Sequence, residues 1–186
     1  SGEAPWIENA ATGPLNVYGA SKLAGEQAII ACGCRHLIFR TSWVYGLRGG
    51  NFVLTMRRLF RERPELKIVA DQIGAPTWCR SLAEATAQVL AQVQSPFNGA
   101  DKPAPWGVYH MTNGGETSWH GFAETILALE NLTTPPVLHP IPSSAYPTPA
   151  QRPLNSRLNN DKLARVFSVR LPHWQAALKL CLDAAD

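Results

Sequence analysis

The chain has 186 residues, 45% hydrophobic and 17% charged, enough apolar material for a core and too varied a composition for a disordered tail. Its net charge of +3 is spread over basic residues such as Arg57, Arg58, Arg61 and Arg63, too mild for a nucleic-acid footprint and compatible with a small anionic ligand. No apolar run reaches the length of a membrane span.

The start, Ser1-Gly2-Glu3-Ala4-Pro5, is polar and unlike a signal peptide, so it reads as a loop that leads into a helix. Ala20, Leu23, Ala24, Ala28 and Ile29 recur at helical spacing and predict a helix over 17–32, stopped by Gly33. The run 36–40 predicts a buried parallel strand, and 41–50 a loop at its C-terminal end. Phe52, Met56, Leu59 and Phe60 mark one face of a second helix. A strand over 66–70 and a turn-rich segment over 71–77 follow.

Ser81 and Glu84 read as a capping box for a third helix, whose stripe is Leu82, Ala85, Val89 and Val93. A strand near 108–111 precedes a helix over 119–129 with Ser118 as its N-cap. The Pro-rich stretch 135–153 is expected to be largely extended, and two short helices near 161–167 and 174–182 close the chain. Strand and helix alternate throughout, which argues for an α/β fold. Residues 1–42 read as the remainder of a parallel-sheet domain. Residues 43–186 read as a smaller lobe interleaved with the last strands and helices of that sheet.

Chemistry concentrates in Tyr18-Gly19-Ala20-Ser21-Lys22. A tyrosine and a lysine four apart on a helix project from one face. An ammonium beside a phenol stabilises phenolate, which lets the phenol exchange a proton with a substrate oxygen. The four cysteines, Cys32, Cys34, Cys79 and Cys181, lack zinc-site spacing and read as free buried thiols in a reducing cytoplasm. His110 and His120 have no partner at ligand spacing, so no metal is expected. No Gly-rich dinucleotide turn occurs, since Gly49-Gly50 and Gly114-Gly115 lack its spacing and context.

The run from Pro14 to Glu26, PLNVYGASKLAGE, resembles the catalytic helix of extended short-chain dehydrogenase/reductases, in the form found in the dTDP-4-dehydrorhamnose reductase family. The likeness continues through Arg40-Thr41-Ser42-Trp43-Val44-Tyr45-Gly46, Asn51-Phe52-Val53, the run DQIGAPT from Asp71 to Thr77, and RPLNSRL from Arg152 to Leu158. It spans nearly the whole chain in order. It implies the C-terminal part of a Rossmann-like parallel sheet with a small α/β substrate lobe, and reduction of the 4-keto group of dTDP-4-dehydro-L-rhamnose by NADPH or NADH.

By that resemblance Tyr18 is the proton donor, while Lys22 binds the nicotinamide ribose and tunes the phenol. Thr41 and Ser42 lie near the nicotinamide; Trp43, Asn51, Gln72, Thr77 and Arg152 meet the dTDP-sugar. Read on its own, Trp43 is better taken as a core aromatic, while Asp71, Gln72 and Thr77 serve equally as turn formers and Arg152 as a solvated arginine. The first βαβ units, with most of the cofactor site, are expected upstream of this chain. A nucleotide-sugar epimerase or dehydratase and a non-catalytic subunit on the same scaffold stay open as alternatives, as does a homodimer.

Overall fold

The computed structural model describes residues 2–94 and 105–184. Helix α1 (Val17–Ala31) starts where the Asn16 side chain accepts the Gly19 amide at 2.8 Å, a cap worth ~0.5–2 kcal/mol. After it, Gly33 takes the left-handed conformation (φ 63°) that turns the chain towards β1 (Leu37–Arg40). Strand β1 pairs in parallel with β6 (Gly107–His110), placing Arg40 opposite His110. Leu37 and Phe39, alternate residues of β1, pack with Ala85 and Val89 of α3 (Cys79–Gln94) and Leu163 and Phe167 of α5 (Asp161–Phe167). Arg40 leaves that core and meets Glu26 of α1.

A second core lies among α2 (Phe52–Glu62), α4 (Trp119–Leu129) and α6 (Trp174–Asp183). Met56 and Phe60, one helical turn apart, pack there with Phe122, Ile126 and Leu178. The strands beneath them form three pairs. Strand β2 (Val44–Tyr45) runs parallel to β5 (Thr77–Trp78), and β3 (Glu65–Val69) parallel to β8 (Val137–Ile141), while β4 (Ile73–Gly74) is antiparallel to β7 (Thr117–Ser118). Period-two alternation buries Leu66 and Ile68 and leaves Lys67 exposed. Glu130, just past α4, binds Arg57 and Arg61 of α2 and locks the two helices together.

Several expectations need correction. On α1 the residues at helical spacing do not form a core: Ala20, Ala24, Ala28 and Ile29 are exposed and Leu23 is half-buried. Residues 41–50 contain β2, whereas the extended reading of the Pro-rich stretch holds over β8. Strand β8 tolerates Pro140 because the Val137 amide donates to Pro64, so amides 137, 139 and 141 face β3 while position 140 faces away and needs no donor.

The capping box also fails, since β5 runs directly into α3 and puts Ser81 inside the first turn. Asn113 instead binds the Trp78 amide at 2.9 Å, and Glu84 pairs with Arg80. Of the four free thiols only Cys181 is buried; Cys32, Cys34 and Cys79 are exposed. Among the described residues no helix is long and apolar enough to cross a membrane.

Candidate active site

Tyr18 lies in the first turn of α1 with 71% of its surface exposed. Four residues on, the Lys22 ammonium stands 5.3 Å from the centre of the Tyr18 ring. The other tyrosine of the matched segments, Tyr45, differs in every relevant respect. It is only 2% exposed, its hydroxyl has no hydrogen-bond partner among the described residues, and burial, with Cys181 and Cys79 adding, pushes its phenol far above the ordinary range. Of these two phenols, only Tyr18 is open to a substrate oxygen.

A cleft of ≈ 730 Å³ opens beside Tyr18, between Leu15, Asn16 and Val17 on one side and residues 149–152 on the other. Asn16 ties the two sides together: its Oδ1 caps α1, and its Nδ2 donates to the Gln151 carbonyl at 3.0 Å. A second groove of ≈ 260 Å³ is walled by Phe52, Trp119 and Tyr146, with Lys67 and Gln72 contributing polar groups. Arg152 borders both spaces. Sharing Arg152, the two spaces make a trough with the Tyr18 phenol at one end and aromatic walls at the other.

Trp43 enters this region from the end of β1 with a left-handed backbone (φ 49°) and stacks on Trp119 at 3.7 Å and 12°. Gly74 makes room for it, since a Cβ there would lie 2.7 Å from the Trp43 ring. The Trp119 indole N–H donates to Gln72 at 3.1 Å, and the Gln72 amide donates to the Ser143 hydroxyl at 2.9 Å. Ser143 in turn donates its amide and hydroxyl to the Asp71 carboxylate. Slight burial pushes the Asp71 carboxyl up, but these hydrogen bonds outweigh it and hold the group below its usual value. One chain of contacts thus fixes Trp43, Trp119, Gln72 and the start of the segment that carries Tyr146 and Arg152.

The residues expected at the site divide. Tyr18 and Arg152 line the cleft, Gln72 and Arg152 line the groove, and Trp43 stacks on Trp119 in its wall. Thr41 is exposed just beyond β1, and the Ser42 hydroxyl reaches the Ala75 carbonyl at 3.5 Å. Asn51 acts locally, capping α2 through Leu54 at 3.2 Å and donating to the Gly46 carbonyl at 2.8 Å. Thr77 is not brought to the trough. It is 0% exposed, its hydroxyl donates to Ala75 at 3.0 Å and accepts the Asn113 amide, and its part is to shape the β5 turn.

Lys67, Trp119 and Tyr146 line the groove without having been singled out beforehand. Only Lys67 had a usable signal, as the charged residue on the open face of an alternating strand. Asn16 had one too, an Asn directly before a helix start. His110 is 2% exposed and depressed chiefly by burial, with Arg40 reinforcing that effect and Glu8 opposing it. Among the described residues no group of three His, Cys, Asp or Glu is set to hold a metal.

A family model described as the RmlD substrate binding domain matches residues 1–186. The chain is 50% identical over 184 residues to a dTDP-4-dehydrorhamnose reductase of Burkholderia thailandensis, covering 96% of this chain and 61% of that protein. Among solved structures, a dTDP-4-dehydrorhamnose reductase ortholog from Clostridium acetobutylicum superposes with a TM-score of 0.88 at 32% identity, covering 99% of this chain and 61% of the other. The Bacillus anthracis dTDP-4-dehydrorhamnose reductase in complex with NADP gives 0.83 at 33% identity, covering 98% and 60%. The chain thus spans about three fifths of the length of these relatives.

Proposed function

The chain belongs to the RmlD substrate binding domain family, and on that premise we propose that it supplies the proton-donor helix and the substrate lobe of a dTDP-4-dehydrorhamnose reductase. The observation that carries the proposal is the position of Arg152 between the Tyr18 cleft and the aromatic groove. A nucleotide sugar has the same order: sugar, diphosphate, nucleoside. With the sugar at Tyr18, the diphosphate falls beside Arg152, whose planar fork suits phosphate oxygens, and Lys67 adds a second cation. The base then enters the groove of Phe52, Trp119 and Tyr146, where aromatic stacking is favourable.

The donor set around Tyr18 suits a nicotinamide riboside. Lys22 offers an ammonium to the ribose hydroxyls, and the hydroxyls of Thr41 and Ser42, just past the C-terminal end of a parallel strand, lie where ligands of such sheets bind. NADPH or NADH, when bound, supplies hydride to the C4 carbonyl carbon of the sugar. Tyr18 gives its phenolic proton to the carbonyl oxygen, and the Lys22 ammonium stabilises the phenolate that remains. The Trp43–Trp119 stack backs the wall of the groove and limits water there.

In this reading residues 1–42 complete a dinucleotide-binding domain and 43–186 form the substrate lobe interleaved with its last strands. The dinucleotide phosphates are met by the part of the relatives that this chain does not span. Four free thiols support a cytoplasmic setting, and the mild charge supports a small anionic substrate over nucleic acid.

The test is turnover by the full-length protein that carries this chain, followed as NAD(P)H oxidation. Oxidation with dTDP-4-dehydro-L-rhamnose and none with UDP- or GDP-linked 4-keto sugars is expected. Equal rates with all three would reject the assignment of the groove to dTDP.

A further inference from the structure

Tyr18, Lys22 and Glu26 follow one another at four-residue intervals along α1, so they share one stripe of the helix. The lysine is in the middle, with a phenol one turn before it and a carboxylate one turn after. Opposite charges four apart on a helix attract, and Lys22 and Glu26 have that spacing. The structure shows a different pairing. Glu26 gives both oxygens to Arg40 at the end of β1, with Nε at 2.9 and 3.0 Å and Nη2 at 2.6 Å. Among the described residues Lys22 enters no ion pair, and its ammonium stays beside the Tyr18 ring.

We propose that Arg40 is a positioning residue for the Tyr18–Lys22 pair: by holding the Glu26 carboxylate it keeps that carboxylate from drawing Lys22 away from the phenol. The inference rests on the reading of Tyr18 as proton donor and Lys22 as its partner. The fork engages both carboxylate oxygens, orients them towards β1 and offsets their charge, which weakens their pull on a second cation. Arg40 is also held from the other side. Its Nη1 donates to the Glu8 carbonyl at 3.3 Å, and the Glu8 carboxylate accepts the His110 amide of β6 at 2.9 Å. The guanidinium therefore cannot follow Glu26 towards Lys22. Its own charge is secure, since the hydrogen bonds to Glu26 raise its pKa further, outweighing the effect of burial.

The rival role is a plain fastener, because the same ion pair ties α1 to β1. The two roles differ in what happens when the partners are removed separately or together. Steady-state kinetics of the full-length protein that carries this chain separates them. With Arg40→Gln, Glu26 is released onto Lys22, and kcat falls about tenfold or more while KM for the sugar changes by less than about twofold. Glu26→Gln, which removes the competing carboxylate, keeps at least about half of kcat. The double variant regains kcat to within about threefold of wild type.

A fastener gives the opposite pattern: Glu26→Gln as damaging as Arg40→Gln, and the double variant no better than either. That pattern overturns the proposal. Should Arg40→Gln not fold, Glu26→Gln alone decides between the two roles. Tyr18→Phe runs alongside: if it turns over normally, the proton-donor reading itself has failed, whereas an inactive Tyr18→Phe with no double-variant recovery removes only the role of Arg40.

Discussion

Gly74→Ala probes the wall of the trough through a single methyl group. The added Cβ would sit 2.7 Å from Trp43 Cε2 and 3.0 Å from Cζ2 and Nε1. Comfortable carbon contacts lie at ~3.5–4.0 Å, so the indole must retreat by about 1 Å. Trp43 is stacked at 3.7 Å on Trp119, whose N–H is tied to Gln72. Overpacking of this kind costs ~1–3 kcal/mol. The backbone at Gly74 is not left-handed, so alanine also restricts the unfolded chain and returns ~0.4–1 kcal/mol. A net loss of about 0.5–2 kcal/mol is expected from urea unfolding. The near-UV circular dichroism of the stacked indoles should weaken, because the ring escapes the clash by leaving its partner.

Trp43→Leu in the same background removes the ring that the added methyl strikes, so the cost of Gly74→Ala should shrink to near zero there. An unchanged unfolding midpoint together with an unchanged indole band would refute the packing geometry of this wall.

Asn16→Ala should lower stability by ~0.5–2 kcal/mol in thermal or urea unfolding, because it removes the cap of α1 and the tether to Gln151. Asn16→Ser, which keeps a capping oxygen, should recover the cap but not the tether. Asp71 is held below its unfolded value of ~3.9, so its contribution is fully present above that pH and is lost as pH falls through the lower folded value. The stability gap between wild type and Asp71→Asn should therefore be constant at neutral pH and close below about pH 4, as read from acid unfolding curves. Cys181 is pushed up to about 11 by burial, with Cys79 adding and Arg57 opposing, so its thiol stays protonated. A maleimide should label Cys32, Cys34 and Cys79 in the native protein and reach Cys181 only after unfolding, as peptide mass spectrometry would show.

Local signals in the sequence carried the helices well. The apolar face of α2, the span of α4 and its Ser118 cap, which accepts the Gly121 amide at 3.0 Å, appear where periodicity and capping rules put them. The two-residue strands β2, β4, β5 and β7 were not legible, because two residues have no periodicity and their pairing is set by tertiary contacts. Ser81 misled because its hydroxyl and the later Glu84 mimic a cap where the chain is already helical. The apolar spacing on α1 located the helix, yet spacing alone does not say which of its residues become buried.

At the site, spacing alone placed Tyr18 and Lys22 together, since a helix makes residues four apart neighbours. Thr77 shows the limit of that approach: it stands five residues from Gln72, which lines the groove, yet its side chain turns inward. Trp119 and Tyr146 meet Phe52 only through the fold, across separations that no local pattern encodes.

The most direct measurement is kcat for Tyr18→Phe in the full-length protein, with dTDP-4-dehydro-L-rhamnose and NADPH both saturating. A phenol that delivers the proton predicts a fall of about a hundredfold or more, with the sugar KM shifted only a few-fold. Turnover close to wild type would contradict it.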